Sequence, residues 1–170
     1  MKHKLILIYS WFIYVLTYFL PDIPSLMRFR GWLYSLAMQK CGKNFQICHS
    51  SILNGLDDMI LGDNIYIANF CNVISNGKVV IQDDVIFGPS VAISSGNHQF
   101  DGLSYNHLPS SRNDVLIEKG SWIGAHVTIV GGSIIPQQSI IAANACVTPH
   151  MGYCVHSLYG GVPAKQIKQL

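Results

Sequence analysis

The chain has little charge. Asp, Glu, Lys and Arg make up 12% of its 170 residues, about half the usual share of a soluble protein, while 49% are apolar. Disorder needs the opposite balance and is excluded. The five cysteines are odd in number and none stands in a CxxC pair. A disulfide framework or a thiolate zinc site is therefore not expected, and a reducing, cytoplasmic setting fits better. A comfortable membrane span is also missing. The longest charge-free apolar run, Leu5 to Leu20, has sixteen residues. As a helix it reaches roughly 24 Å at about 1.5 Å per residue, short of a hydrocarbon core of about 30 Å.

The net charge of +2 is unevenly placed. Residues 1–43 hold Lys2, Lys4, Arg28, Arg30, Lys40 and Lys43 against Asp22 alone, and the remainder is mildly acidic. That balance is wrong for nucleic acid but suits an anionic membrane surface. Pro21 and Pro24 end the first helix, and no small-x-small cleavage site follows, so removal as a signal is not expected. Ser25 to Lys40 reads as a second helix with Leu26, Phe29, Leu33, Leu36 and Ala37 on one stripe. Trp32 and Tyr34 with Arg28 and Arg30 favour a membrane interface. Segment 1–40 is thus expected as a basic helical head. It either lies on the inner face of the cytoplasmic membrane or caps the rest of the chain.

From residue 41 a six-residue period takes over. Ile117, Ile123, Ile129, Ile135, Ile141 and Val147 are all aliphatic, and four positions on stand Ser121, Val127, Ser133, Ser139 and Ala145. The rhythm appears upstream at Leu61, Ile67 and Val73, and again at Ile81, Phe87 and Ile93, with a two-residue slip near Asn76-Gly77. A helix repeats every 3.6 residues and a strand every 2, so neither alone explains a period of six. A short strand plus a turn does, with three hexads closing one triangular coil. Residues 41–170 are therefore expected to form an all-β solenoid, closed by a segment at 150–170.

Several motifs sit on this rhythm in order: Ile60-Leu61-Gly62-Asp63-Asn64, Ala68-Asn69-Phe70, Asn97-His98, Trp122-Ile123-Gly124-Ala125, Val147-Thr148 and Gly161-Val162-Pro163-Ala164-Lys165. In this spacing the chain resembles the hexapeptide-repeat acyltransferase superfamily. It looks most like O-acetyltransferases of bacterial sugars and of capsule or O-antigen polysaccharides. The resemblance implies a left-handed parallel β-helix, acetyl-CoA as donor, a sugar hydroxyl as acceptor, no metal, and a homotrimer with sites between subunits.

The repeat breaks once, at residues 99–114, a polar turn-rich stretch expected to be extruded from the coil. His98 stands where that loop leaves and matches the superfamily's catalytic histidine. Neutral imidazole suits removal of a hydroxyl proton, a role that contributes roughly 10²–10⁴-fold. Asp101 is expected either to orient His98 or to cap the turn before Gly102. His3, His49 and His126 read as solvent-facing, and His107 as an acceptor contact or plain surface. The resemblance further implies donor contacts at Trp122, Ala125, Ala143, Thr148, Lys165 and Lys168, with Pro149 replacing a commonly found lysine. It implies an acceptor contact at Asn69. Other readings on the same scaffold are an N-acetyltransferase acting on an amino sugar, a three-histidine zinc enzyme of the γ-carbonic anhydrase kind, and a non-catalytic trimeric scaffold.

Overall fold

The computed structural model describes residues 2–170. Residues 40–170 wind into a parallel β-solenoid of triangular section. The first face stacks Lys40–Cys41, Met59–Leu61, Val79–Ile81, Val115–Ile117 and Ile134–Ile135. The second stacks Gln46–Ile47, Tyr66–Ile67, Ile86–Phe87, Trp122–Ile123, Ile140–Ile141 and Ser157–Gly160. The third stacks Ile52–Asn54, Asn72–Ile74, Ala92–Ser94, Thr128–Val130 and Cys146–Val147. The six aliphatics from Ile117 to Val147 are wholly buried and make the axial core. Each contributes roughly 1.5–3 kcal/mol by leaving water. Ser121 and Ser133 are buried at corners, where their hydroxyls donate to the Pro136 and Val147 carbonyls at 3.0 and 3.2 Å.

Coil length changes along the stack. Lys40 pairs with Ile60 and Ile60 with Val80, whereas Leu116 pairs with Ile134, so twenty-residue coils give way to eighteen. The extra residues lie at the third corner, as the 3-10 turn Leu56–Asp58 and as Ser75–Lys78. In the latter the Ser95 hydroxyl accepts from the amides of Asn76 and Gly77, both at 2.9 Å. At the first corner Asn44, Asn64 and Asp84 take the left-handed conformation that Asn and Asp tolerate. They form a ladder, Asn44 Nδ2 donating to Asn64 Oδ1 (3.0 Å) and Asn64 Nδ2 to Asp84 Oδ1 (2.9 Å).

The head differs in detail from its sequence reading. Helix α1 is Lys2–Thr17 and helix α2 is Pro24–Ser35. The buried face of α2 is Met27, Arg30, Gly31 and Tyr34, while Phe29 and Leu36 of the expected stripe are exposed. The cause is Gly31, which rests on the Phe45 carbonyl so closely that any Cβ there would collide. That approach fixes the rotation of the helix. Arg30, expected to meet lipid head groups, is instead buried. It donates to the carbonyls of Ile47 (2.6 Å), Leu20 (3.0 Å) and Thr17 (3.3 Å), to Thr17 Oγ1 (3.1 Å) and to Asp22 Oδ1 (3.2 Å).

Helix α1 crosses the first strand of the third face, from His3 near Asp57 (3.4 Å) to Tyr18 against the His49 ring (5.3 Å). Its inner side is Ser10, whose hydroxyl donates to the Leu53 carbonyl, with Ile13 and Thr17. Its outer side is Leu5, Ile8, Trp11, Phe12, Val15 and Leu16, all exposed. Both helices therefore cap the open end of the solenoid, and α1 still presents an apolar face outward. Among the described residues, no helix is long and apolar enough to cross a membrane.

Candidate functional site

The corner between the second and third faces carries one column of the expected contacts. The Ser90 amide donates to the Asn69 carbonyl and the Asn144 amide to the Ala125 carbonyl, both at 2.9 Å, so successive coils stack in register there. Ala125 is half-buried and Ala143 exposed one coil on. A Cβ on Gly88 or Gly124 would come within 2.8 or 2.7 Å of the amide nitrogens of Ala125 and Ala143. Glycine is therefore needed for the coils to approach, and the corner stays narrow and smooth. Trp122 stands beside it, half-exposed on the second face between Ile86 and Ile140. Lys165 and Lys168 lie exposed on the strand Lys165–Gln169, which pairs antiparallel to Ser157–Gly160 and closes that face. Small side chains along a corner, a flat indole and two exposed lysines are the features a long, narrow, phosphorylated donor would use. Thr148 is set apart, at the end of the third face leading to the third corner.

His98 is exposed at the third corner. The loop is narrower than expected, because Gly96 pairs with Arg112 and Asn97 with Ser111 to form a neck, and the Asn113 amide returns to the Ser95 carbonyl at 2.8 Å. His98 is the first residue beyond that neck. Arg112 reaches Asp58 of the 3-10 turn at 2.6 Å and ties the neck down. Asp101 does not orient His98. Its Oδ1 caps the turn, accepting from the amides of Leu103 (2.8 Å) and Ser104 (2.7 Å), and its Oδ2 meets His107 Nδ1 at 2.6 Å. Those two amides, then His107, hold its carboxyl below the usual carboxylate range.

Asn69 is also placed differently from a free acceptor contact. Its Nδ2 donates to Asp22 Oδ2 (2.9 Å) and to Ser50 Oγ (3.2 Å). His49, expected to face solvent, gives its backbone amide to Asp22 Oδ1 and sets its ring Nδ1 on Oδ2, both at 2.8 Å. Burial of Asp22 opposes ionisation, but the His49 ring, the His49 amide and Asn69 outweigh it and hold the carboxyl below its ordinary range. Asp22 went unmarked in the sequence, where its one signal was to be the only acid in residues 1–43.

His98 and the Asn69–Ala125–Ala143 column stand on different corners, separated by the third face. At about 3.3 Å per residue that width is roughly 15 Å. One chain alone does not bring them together. Burial pushes the thiols of Cys41 and Cys48 up to about 11, so neither is a ready nucleophile. Among the described residues, no three His, Cys, Asp or Glu side chains are grouped to hold a metal ion.

No family model matches the chain. It is 30% identical over 111 residues to a galactoside O-acetyltransferase of Escherichia coli K12, across 65% of this chain and 53% of that one. It is 27% identical over 165 residues to a dTDP-4-amino-4,6-dideoxy-D-glucose acyltransferase of Escherichia coli, across 81% of this chain and 85% of that one. Several further curated relatives match over only 50–65% of their own length. Among solved structures, a hexapeptide-repeat acetyltransferase of Vibrio cholerae, crystallised with acetyl-coenzyme A, superposes with a TM-score of 0.79. The two are 22% identical, and the match covers 98% of this chain and 88% of that one. The repeat, the coil stacking and this superposition show that the chain has the same parallel β-solenoid fold as that hexapeptide-repeat acetyltransferase.

Proposed function

We propose that the protein transfers an acetyl group from acetyl-CoA to a hydroxyl of a sugar in a bacterial surface polysaccharide, capsule or O-antigen, or in its precursor. The observation that carries this reading is His98, held at the mouth of an extruded loop on a rigid coil, together with the smooth corner lined by Ala125 and Ala143. In the proposed reaction the His98 imidazole takes the proton of the acceptor hydroxyl as its oxygen attacks the thioester carbonyl. The C–S bond breaks, and the proton held on the imidazole passes to the leaving thiolate. The donor lies along the corner column, its phosphates drawn to Lys165 and Lys168. Because His98 and that column stand on different corners, the site forms between copies, and a homotrimer supplies three. Asn69 and its partner Asp22 face the acceptor in this arrangement.

The head sets the place of work. The outward Leu5, Ile8, Trp11, Phe12 and Leu16 of α1 rest on the inner face of the cytoplasmic membrane, with Lys4 and Arg28 at its anionic head groups. The likeness to the amino-sugar acyltransferase favours a second reading, acetyl transfer to a sugar amine. His98→Ala tests the mechanism: turnover should fall by roughly 10²–10⁴-fold with acetyl-CoA binding nearly unchanged. Near wild-type turnover in that variant overturns it. Neutral sugars and amino sugars offered side by side decide between ester and amide products.

A further inference from the structure

Beyond its neck, the extruded loop is ordered by its own contacts. Asp101 caps the turn, the Asn106 amide donates to Ser104 Oγ at 3.0 Å, and Gln99 Nε2 donates to the Pro109 carbonyl at 3.0 Å. Three side chains then face solvent with their polar or aromatic surfaces set. Phe100 and Tyr105 pack ring against ring with centroids 5.0 Å apart, yet remain 55% and 61% exposed. The Asp101 carboxylate fixes the His107 ring through Nδ1, so Nε2 is left free on a side chain that is largely exposed. Two exposed aromatic rings normally lose their apolar area to something, and packing against each other hides little of it here. A carboxylate-fixed imidazole is a hydrogen-bonding group of set direction rather than a waving one. All three lie within nine residues of His98.

We infer that this loop is the acceptor platform: Phe100 and Tyr105 stack on the C–H face of a pyranose ring, and His107 Nε2 bonds one of its hydroxyls. The inference rests on the proposed acetyl transfer and adds the form of the acceptor, a cyclic sugar with one apolar face. Aromatic faces suit a pyranose, whose axial C–H bonds make one side apolar while its rim carries hydroxyls. An open-chain polyol has the hydroxyls without that face. His107 and the two rings are specificity-determining contacts, and His98 remains the base.

The test compares acceptors in the full-length protein. Tyr105→Ser should raise the KM for methyl β-galactopyranoside or maltose about tenfold, the scale of one lost ring contact. The KM for acetyl-CoA should not move. Tyr105→Phe, which keeps the ring, should restore the wild-type value. With sorbitol as acceptor, Tyr105→Ser should change nothing, whereas a merely structural loop defect would damage both acceptors alike. His107→Ala should raise the same pyranose KM and leave kcat within a few-fold. A separate readout, saturation-transfer NMR of those pyranosides, glucose and N-acetylglucosamine with coenzyme A present, should mark ring C–H protons in the wild type and lose them in Tyr105→Ser. Binding without turnover keeps the platform and removes the acetyl-transfer reading. Turnover with equal losses for pyranose and polyol, a kcat collapse in His107→Ala, or no ring contact from any of these sugars overturns the platform.

Discussion

The solenoid and its head bury different mixtures of side chains. In the solenoid the inward position is aliphatic in every hexad from Ile117 to Val147, and the hydroxyls sit at corners. In the head the inward positions mix Ile13, Met27 and Tyr34 with Ser10, Thr17 and the guanidinium of Arg30, while Leu5, Ile8, Trp11, Phe12, Val15 and Leu16 of α1 point out. The repeat can be uniform because each coil sees the same neighbours above and below. The head meets something else, the first turn of the stack, with backbone carbonyls such as those of Ile47 and Leu53 left to bond. Polar groups set among the apolar ones of the inner face are what such an end requires.

Substitutions that reverse either pattern test this contrast. Arg30→Ala should be the most damaging in the head, at about 3–5 kcal/mol, because Asp22 and several carbonyls lose a buried partner together. Urea unfolding measures it. In the solenoid, Ile129→Ala should cost about 2–5 kcal/mol through lost burial and a cavity the stacked coils cannot close. The two values being comparable would show that a polar cap and an aliphatic core do equivalent work; a loss under 1 kcal/mol for Arg30→Ala would remove that equivalence.

A smaller effect follows from acid. Asp22 is more acidic folded than unfolded, so its contribution is fully present above the ordinary carboxylate pKa near 4. It is lost as pH falls through the lower folded value. The acid limb of the thermal-stability profile should therefore flatten in Asp22→Asn, and an unchanged limb would dissociate Asp22 from acid sensitivity. Smallest of all should be the effect on stability of Trp11→Ser with Leu16→Ser. These outer residues touch little, so unfolding should shift by no more than about 0.5 kcal/mol per site. Flotation with phosphatidylglycerol-containing vesicles should nonetheless fall sharply. If association persists undiminished, the outer face of α1 is not what meets lipid.

Legibility in the sequence followed the same division. The hexad and its two-residue slip were readable because a structural repeat imposes the same demand many times, and coincidence cannot imitate that. The break after His98 was readable for the converse reason. Arg30 was not, since a guanidinium becomes an inner group only when Thr17, Leu20, Asp22 and Ile47 converge on it from separate segments. The Asp101 carboxylate pointed to either of two roles, and only the loop geometry gave its second oxygen to His107 rather than His98. Asn44, Asn64 and Asp84, twenty residues apart, are a corner signal that spacing alone left unread.

The hairpin of Ser157–Gly160 with Lys165–Gln169 has a meaning for how copies meet. A parallel stack exposes, at each end, a row of backbone donors and acceptors that would accept the end of another stack, and repetition of that event makes a fibre. Reversing direction in the last strand, and loading it with Lys165 and Lys168, presents an incoming coil with an antiparallel, cationic edge. At the other end the helices cover the first turn with side chains rather than strand. On the second face, therefore, neither end of the stack offers an incoming coil a plain parallel strand: one end carries a reversed, lysine-bearing edge and the other lies against helix α2.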